Sequence, residues 1–213
     1  MTKKIMFNDK YCLTRAVLKG RKTMTRRKLT LTLDKKVDGK LIRVYPSKVF
    51  FDNGKWLFDF DGKTYLLPKE NYPRYNVGEV VAVAQPYKDI VDYMAEYNDI
   101  ILKRKNVPFR EFAAGWSDKR FVKAAFMPHH IKITDIKVER LWDISDEDIL
   151  REGVWQLHYA NELFYVSQNI GYAPTVAFQS AREAFWYLID KVSGKGTWES
   201  NPWVLAYSFE LVD

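Results

Sequence analysis

The stretch from Ser47 to Leu67 constrains the fold most, because Asp52, Asn53, Gly54 and then Asp61, Gly62 interrupt runs rich in Val, Phe, Trp and Tyr. Asn-Gly and Asp-Gly pairs are hairpin turn signals, so the spacing predicts three short antiparallel strands. Further on, the apolar run Val80 to Ala84, closed by Gln85 and Pro86, reads as a buried strand. Ile131, Ile133, Ile136, Val138 and Leu141 mark one long strand with a bulge near Thr134 and Asp135, and Trp203 to Val212 closes the chain as another. Helices are signalled by capping boxes. Ser145 with Asp148 starts a short one to about Glu152, and Ser180 with Glu183 starts one that carries Phe185, Leu188, Ile189 and Val192 and ends at Gly194. Ile90, Met94, Tyr97 and Ile101 fall at spacings of three and four, which predicts an amphipathic helix from about Tyr87 to Lys105, followed by an irregular linker from Asn106 to Asp118. The expected class is α+β, a small barrel or mixed domain whose aromatic residues form mostly core.

Charge is distributed unevenly. Residues 1–50 carry 15 Lys and Arg against three Asp and Glu, whereas residues 51–213 carry 19 against 24. A basic first quarter on a mildly acidic body points to a polyanionic partner, since Lys and Arg gain affinity by displacing counterions from phosphates. The charge is concentrated in Gly20 to Lys28, where Arg21, Lys22, Arg26, Arg27 and Lys28 accompany the hydroxyls of Thr23 and Thr25. Leu13, Ala16 and Val17 place a helix over Asp9 to Lys19, ended by Gly20, and Leu29, Leu31 and Leu33 alternate with Thr30 and Thr32 as a half-buried strand. The cations are therefore expected on a turn between helix and strand. Such a turn suits a phosphate or another anion, and equally a solvated basic loop.

Other chemistry is sparse. No apolar run approaches the roughly 20 residues that span a bilayer, and the N-terminal residues lack the apolar stretch of a signal peptide, so the expectation is a cytoplasmic protein without membrane partners. Cys12, the one cysteine, reads as a packing residue. His129 and His130 are adjacent and point to opposite faces of a strand, and His158 stands apart, so no metal is expected; there is no P-loop, dinucleotide fingerprint or nucleophile elbow, and no cofactor is expected. Lys22 and Thr25, three residues apart, could act as base and nucleophile if burial or the neighbouring Arg21, Arg26 and Arg27 lowered the amine pKa. The same cations equally suit plain phosphate binding.

Gly20, Lys22, Thr25 and Arg27 fit G-x-K-x-x-T-x-R, the signature of ASCH domains, small β-barrels related to the PUA RNA-binding fold. Gly78, Glu79 and the strand to Ala84 resemble that family's second element. Met127, Pro128, Val138, Glu139, Arg140, Leu141, Ile144, Ser145, Glu147, Asp148, Glu152 and Gly153 resemble the segment common in phage and bacterial members, and Trp198, Asn201, Pro202, Trp203, Val204, Phe209 and Glu210 its closing strand. The resemblance spans nearly the whole chain and implies a single domain over residues 1–213: a PUA-like β-barrel with flanking helices, elaborated at about 40–70 by the meander and at about 87–118 by the helix. It implies a cleft for RNA, a nucleotide or a modified base, and the binding residues expected there are Arg21, Lys22, Thr25, Arg26 and Arg27; by their own chemistry the Gln85 amide can read a base edge, and Trp198, which with Trp203 brackets a Ser-Asn-Pro turn, can stack on a base. Some small bacterial members are amidohydrolases that deacetylate N4-acetylcytidine with Lys, Thr and a Glu. Lys22 and Thr25 match that set, whereas Gln85 occupies the Glu position and cannot accept a proton as a carboxylate does. The alternative implied is thus an amidohydrolase of an acylated nucleoside that draws its carboxylate from elsewhere. A protein-interaction module is the third.

Overall fold

A computed structural model describes residues 3–90, 114–156, 162–168 and 176–212. The expected helix over Tyr87 to Lys105 and its linker fall mostly on residues 91–113, outside the described residues. In chain order, the described elements are β1 (Lys4–Ile5), α1 (Leu13–Leu18), β2 (Met24–Lys28), β3 (Leu33–Val37), β4 (Lys40–Val44), β5 (Lys48–Asp52), β6 (Lys55–Phe60), β7 (Lys63–Leu66), β8 (Val80–Val83) and β9 (His130–Arg140). They continue with α2 (Asp146–Arg151), β10 (Trp155–Gln156), β11 (Phe164–Val166), β12 (Val176–Phe178), α3 (Ala181–Ser193), α4 (Thr197–Ser200) and β13 (Trp203–Leu211). The class is α+β.

The central sheet has the order β1-β8-β9-β13-β2; β1 runs parallel to β8 and the other pairs are antiparallel. Its long ladder joins β9 to β13. The register pairs Ser208 with Asp135 and Phe209 with Ile133, so Thr134 is the extra residue of a bulge where the alternation of the apolar positions breaks. Ile5, Val81, Val83, Ile131, Ile133 and Phe209 face the core, and Phe185, Leu188 and Ile189 of α3 pack onto it. Ser145 and Ser180 cap α2 and α3 by accepting hydrogen bonds from the Asp148 and Glu183 amides. The meander β5-β6-β7 turns on Asn53-Gly54 and Asp61-Gly62, all four at positive φ as such hairpins require, and places Val49 and Phe58 in the same core cluster.

The basic segment departs from expectation. Met24–Lys28 is the strand, and Leu29 to Thr32 is not, although Leu29 and Leu31 are buried as their alternation predicts. Strand Met24–Lys28 is held by its ladder with β13, from Val204↔Lys28 to Ser208↔Met24, and by buried carboxylates that accept the charge of Arg26, so a run rich in cations can occupy a sheet. Asp38 and Gly39, both at positive φ, form a further turn that closes the hairpin β3–β4. Its mostly exposed residues give no apolar alternation by which to detect it.

The described residues form no closed ladder. β1 and β2 are the two edges of the sheet, and a side chain joins them: Arg27 Nη2 donates to the carbonyl of Met6, just past β1, at 2.7 Å. No helix among the described residues is long and apolar enough to cross a membrane. Gly153, after α2, sits at φ +106°, and a Cβ there would meet Leu13 Cδ2 at 3.0 Å. Gly153→Ala is expected to destabilise the protein by about 1–3 kcal/mol, read as a lower urea midpoint at unchanged slope.

Candidate functional site

Lys22 enters the fold on the turn after α1 and is 2% exposed. Its ammonium donates to Glu152 twice, to Oε2 at 2.7 Å and to the backbone carbonyl at 2.6 Å. Arg26, with a fully buried side chain, takes the other Glu152 oxygen at 3.1 Å through Nη1, Asp148 Oδ2 at 2.9 Å through Nη2, and Glu139 Oε1 at 2.8 Å through Nε. The register explains the reach to Glu139. Arg26 lies opposite Ala206, whose small side chain lets the guanidinium pass over β13 to β9. Arg151 closes the cluster, donating to Asp148 Oδ1, Ser208 Oγ and Thr23 Oγ1 at 3.1–3.2 Å.

Burial lowers the Lys22 pKa, against the attraction of Glu152 and with the help of Arg27 and Arg26, so the neutral amine is more accessible than on a surface lysine. Burial also opposes the charge of Arg26, but Glu152 and Glu139 outweigh it and hold the guanidinium charged. Three cations, Lys22, Arg26 and Arg151, thus meet three carboxylates, Glu139, Asp148 and Glu152.

Beside this cluster lies a cleft of about 470 Å³ between β2 and α3. Lys22, Thr25 and Glu152 line it together with the apolar Met6, Phe7, Phe185, Leu188 and Val192, and the exposed Arg27 and Lys28 border it. The Thr25 hydroxyl has no hydrogen-bond partner among the described residues and is not sealed from solvent. The Lys22 ammonium is 5.8 Å from the Phe7 ring centroid.

The other expected site residues are dispersed. Arg21 is exposed on the preceding turn and does not line the cleft. The Arg26 guanidinium is committed to carboxylates, which corrects its expected role as an anion contact. Gln85 lies in a separate small cleft with Asp9, Thr14 and Asp89, its Oε1 buried without a partner among the described residues, so it neither replaces the missing Glu nor faces Lys22. Trp198 sits on α4 against Phe185 and Trp142, with ring centroids 6.1 and 6.3 Å away, behind the cleft wall instead of on its surface. Glu152 went unrecognised as a partner for Lys22. Its signal was present: Asp148 and Glu152 are like charges four residues apart, unfavourable unless a cation faces them. Among the described residues, no group of three or more His, Cys, Asp or Glu is arranged to hold a metal ion.

The chain matches no protein-family model, no curated protein and no solved structure.

Removing the Arg26 charge leaves Glu139 without a cation among the described residues and leaves Asp148 and Glu152 with one each, Arg151 and Lys22, so Arg26→Ala is expected to destabilise by about 3 kcal/mol in chemical denaturation. Lys22 gives a pH dependence of defined sign. Its folded pKa is below its unfolded one, so between the lowered value and about 10.5 the unfolded chain binds more protons and stability rises with pH. Lys22→Met should flatten that rise when unfolding free energy is measured from neutral to alkaline pH.

Proposed function

We propose that this cleft binds a nucleotide unit, free or within RNA, and that the open sheet, its edges tied by Arg27, is a PUA-like barrel of the ASCH type. The observation that carries the reading is the pairing of a cationic rim with an apolar wall. Arg27 and Lys28 are exposed where Lys22 and Arg26 are neutralised, so they are the basic-segment charges at this cleft available to a phosphate. Met6 and Val192, the more exposed apolar residues of the lining, offer a base or sugar an apolar surface backed by the buried Phe7, Phe185 and Leu188, and about 470 Å³ lies within the range of small-molecule sites. Thr25 supplies a hydroxyl that can donate to or accept from a base edge. Arg27→Ala and Lys28→Ala are each expected to weaken binding of ribonucleoside 5′-monophosphates about tenfold in calorimetry and to reduce the salt dependence, while Arg21→Ala has little effect. Unchanged affinity in both rim variants defeats the reading.

One observation favours a second reading. Glu152 supplies the carboxylate that an amidohydrolase of acylated nucleosides needs, and it sits on Lys22 in the same cleft that Thr25 lines. In such a reaction the Thr25 hydroxyl attacks the amide carbonyl and passes its proton to the Lys22 amine. The leaving amine takes up that proton, and water then releases the acyl group from Thr25. With N4-acetylcytidine as probe, turnover by the wild type that Thr25→Val abolishes while retaining nucleoside binding marks this chemistry. Absence of turnover in the wild type leaves binding alone.

A further inference from the structure

A second cleft, of about 270 Å³, lies on the other side of Arg27. It shares Met6, Arg27 and Lys28 with the first, so one stretch of β2 forms the wall between the two. We propose that the two clefts are adjacent subsites for consecutive units of a single-stranded oligonucleotide, with Arg27 and Lys28 at the junction and Arg74 and Asn71 holding the second unit. The proposal rests on the nucleotide reading of the first cleft and extends it from a single unit to a strand.

Asn71 gives the cleft its specific chemistry. The residue is 5% exposed, and its Oδ1 accepts from both the backbone amide and the hydroxyl of Thr30, at 3.1 and 3.2 Å. A backbone N–H can only donate, so the oxygen is fixed on that side and Nδ2 is the free end of the amide. This nitrogen has no partner among the described residues, is not sealed from solvent, and belongs to a residue lining the cleft. A donor that reaches solvent and has no protein partner is available to a phosphate or sugar oxygen.

The charges agree. Lys4 also lines this cleft, but its ammonium is spent on the carbonyls of Arg120 and Val122, both at 2.7 Å, and on that of Lys119 at 3.3 Å. Arg27, Lys28 and Arg74 remain exposed, against the single exposed carboxylate of Glu70. The loop that carries Arg74 is fixed, because its amide donates to Tyr207 Oη at 3.0 Å and its carbonyl accepts from Lys3 Nζ at 2.8 Å. Tyr72, 37% exposed, borders the same cleft and presents a ring on which a base can stack.

The test compares ribonucleoside 5′-monophosphates with mixed-sequence tetraribonucleotides and tetradeoxyribonucleotides in calorimetry, using wild type, Arg74→Ala and Asn71→Asp. Arg74→Ala removes an exposed side chain that makes no hydrogen bond among the described residues and lies 5.8 Å from the Tyr75 ring centroid, and Asn71→Asp keeps the acceptor for Thr30 while replacing the free donor with an anionic oxygen. The wild type is expected to bind tetranucleotides at least tenfold more tightly than monophosphates, with both variants losing that gain and keeping the monophosphate affinity. A gain with both sugar types locates the second contact on the phosphate; a gain with RNA alone adds the 2′-hydroxyl. Monophosphate binding without a tetranucleotide gain, or a gain that both variants retain, overturns the second subsite and leaves the first cleft standing. No binding of either probe overturns both.

Discussion

Arg26 is the residue on which the arrangement turns. Its guanidinium joins three elements through charge: its own edge strand β2, Glu139 on β9 across the intervening β13, and Asp148 and Glu152 on and just after α2. Each carboxylate would be costly to bury alone, and each is bearable because a planar cation with several donors lies between them. With Arg26 fixed, the end of α2 is fixed, and with it Glu152. Glu152 then draws Lys22 inward from a turn where a lysine would otherwise extend into solvent. The cleft inherits its shape from this chain of charge neutralisation.

The same network divides the labour of the basic segment. Successive residues of a strand face opposite ways, so Arg26 and Arg27, identical in chemistry, have unrelated roles. One is fully buried among acids; the other is exposed, reaches the Met6 carbonyl and borders two clefts. Lys22 differs from both. It is buried and paired, and its environment shifts it toward the neutral amine, a property that plain anion binding does not need. That shift, together with Glu152 on Lys22 in the cleft that Thr25 lines, is why a hydrolytic reading stands beside the binding one.

Much of the frame was legible because it rests on local rules. Asn53-Gly54 and Asp61-Gly62 specify hairpins, Ser145 and Ser180 specify helix starts, and the apolar positions of β9 and β13 alternate until Thr134 breaks the period. The site was less legible because it depends on distance in sequence. Lys22 and Glu152 are 130 residues apart, and Arg26 and Glu139 are 113 apart, so no local pattern pairs them. The strand Met24–Lys28 was hidden for a related reason. A run of cations reads as exposed turn until the acids that neutralise it are known. Gln85 was expected in the site from the position it holds and Trp198 from its capacity to stack, and the fold puts one in another cleft and the other behind Phe185.

The seam between β1 and β2 gives the sheet an unusual kind of join. Elsewhere adjacent strands are held by backbone ladders that tolerate almost any side chain, but these two edges of an open sheet are linked by one guanidinium that donates to one carbonyl. A ladder is anonymous, whereas this join has an identity that a single codon can change. Drift at Arg27 therefore acts on the link between the sheet edges and, on the nucleotide reading, on ligand affinity at the same time, so that selection for either property would constrain the other.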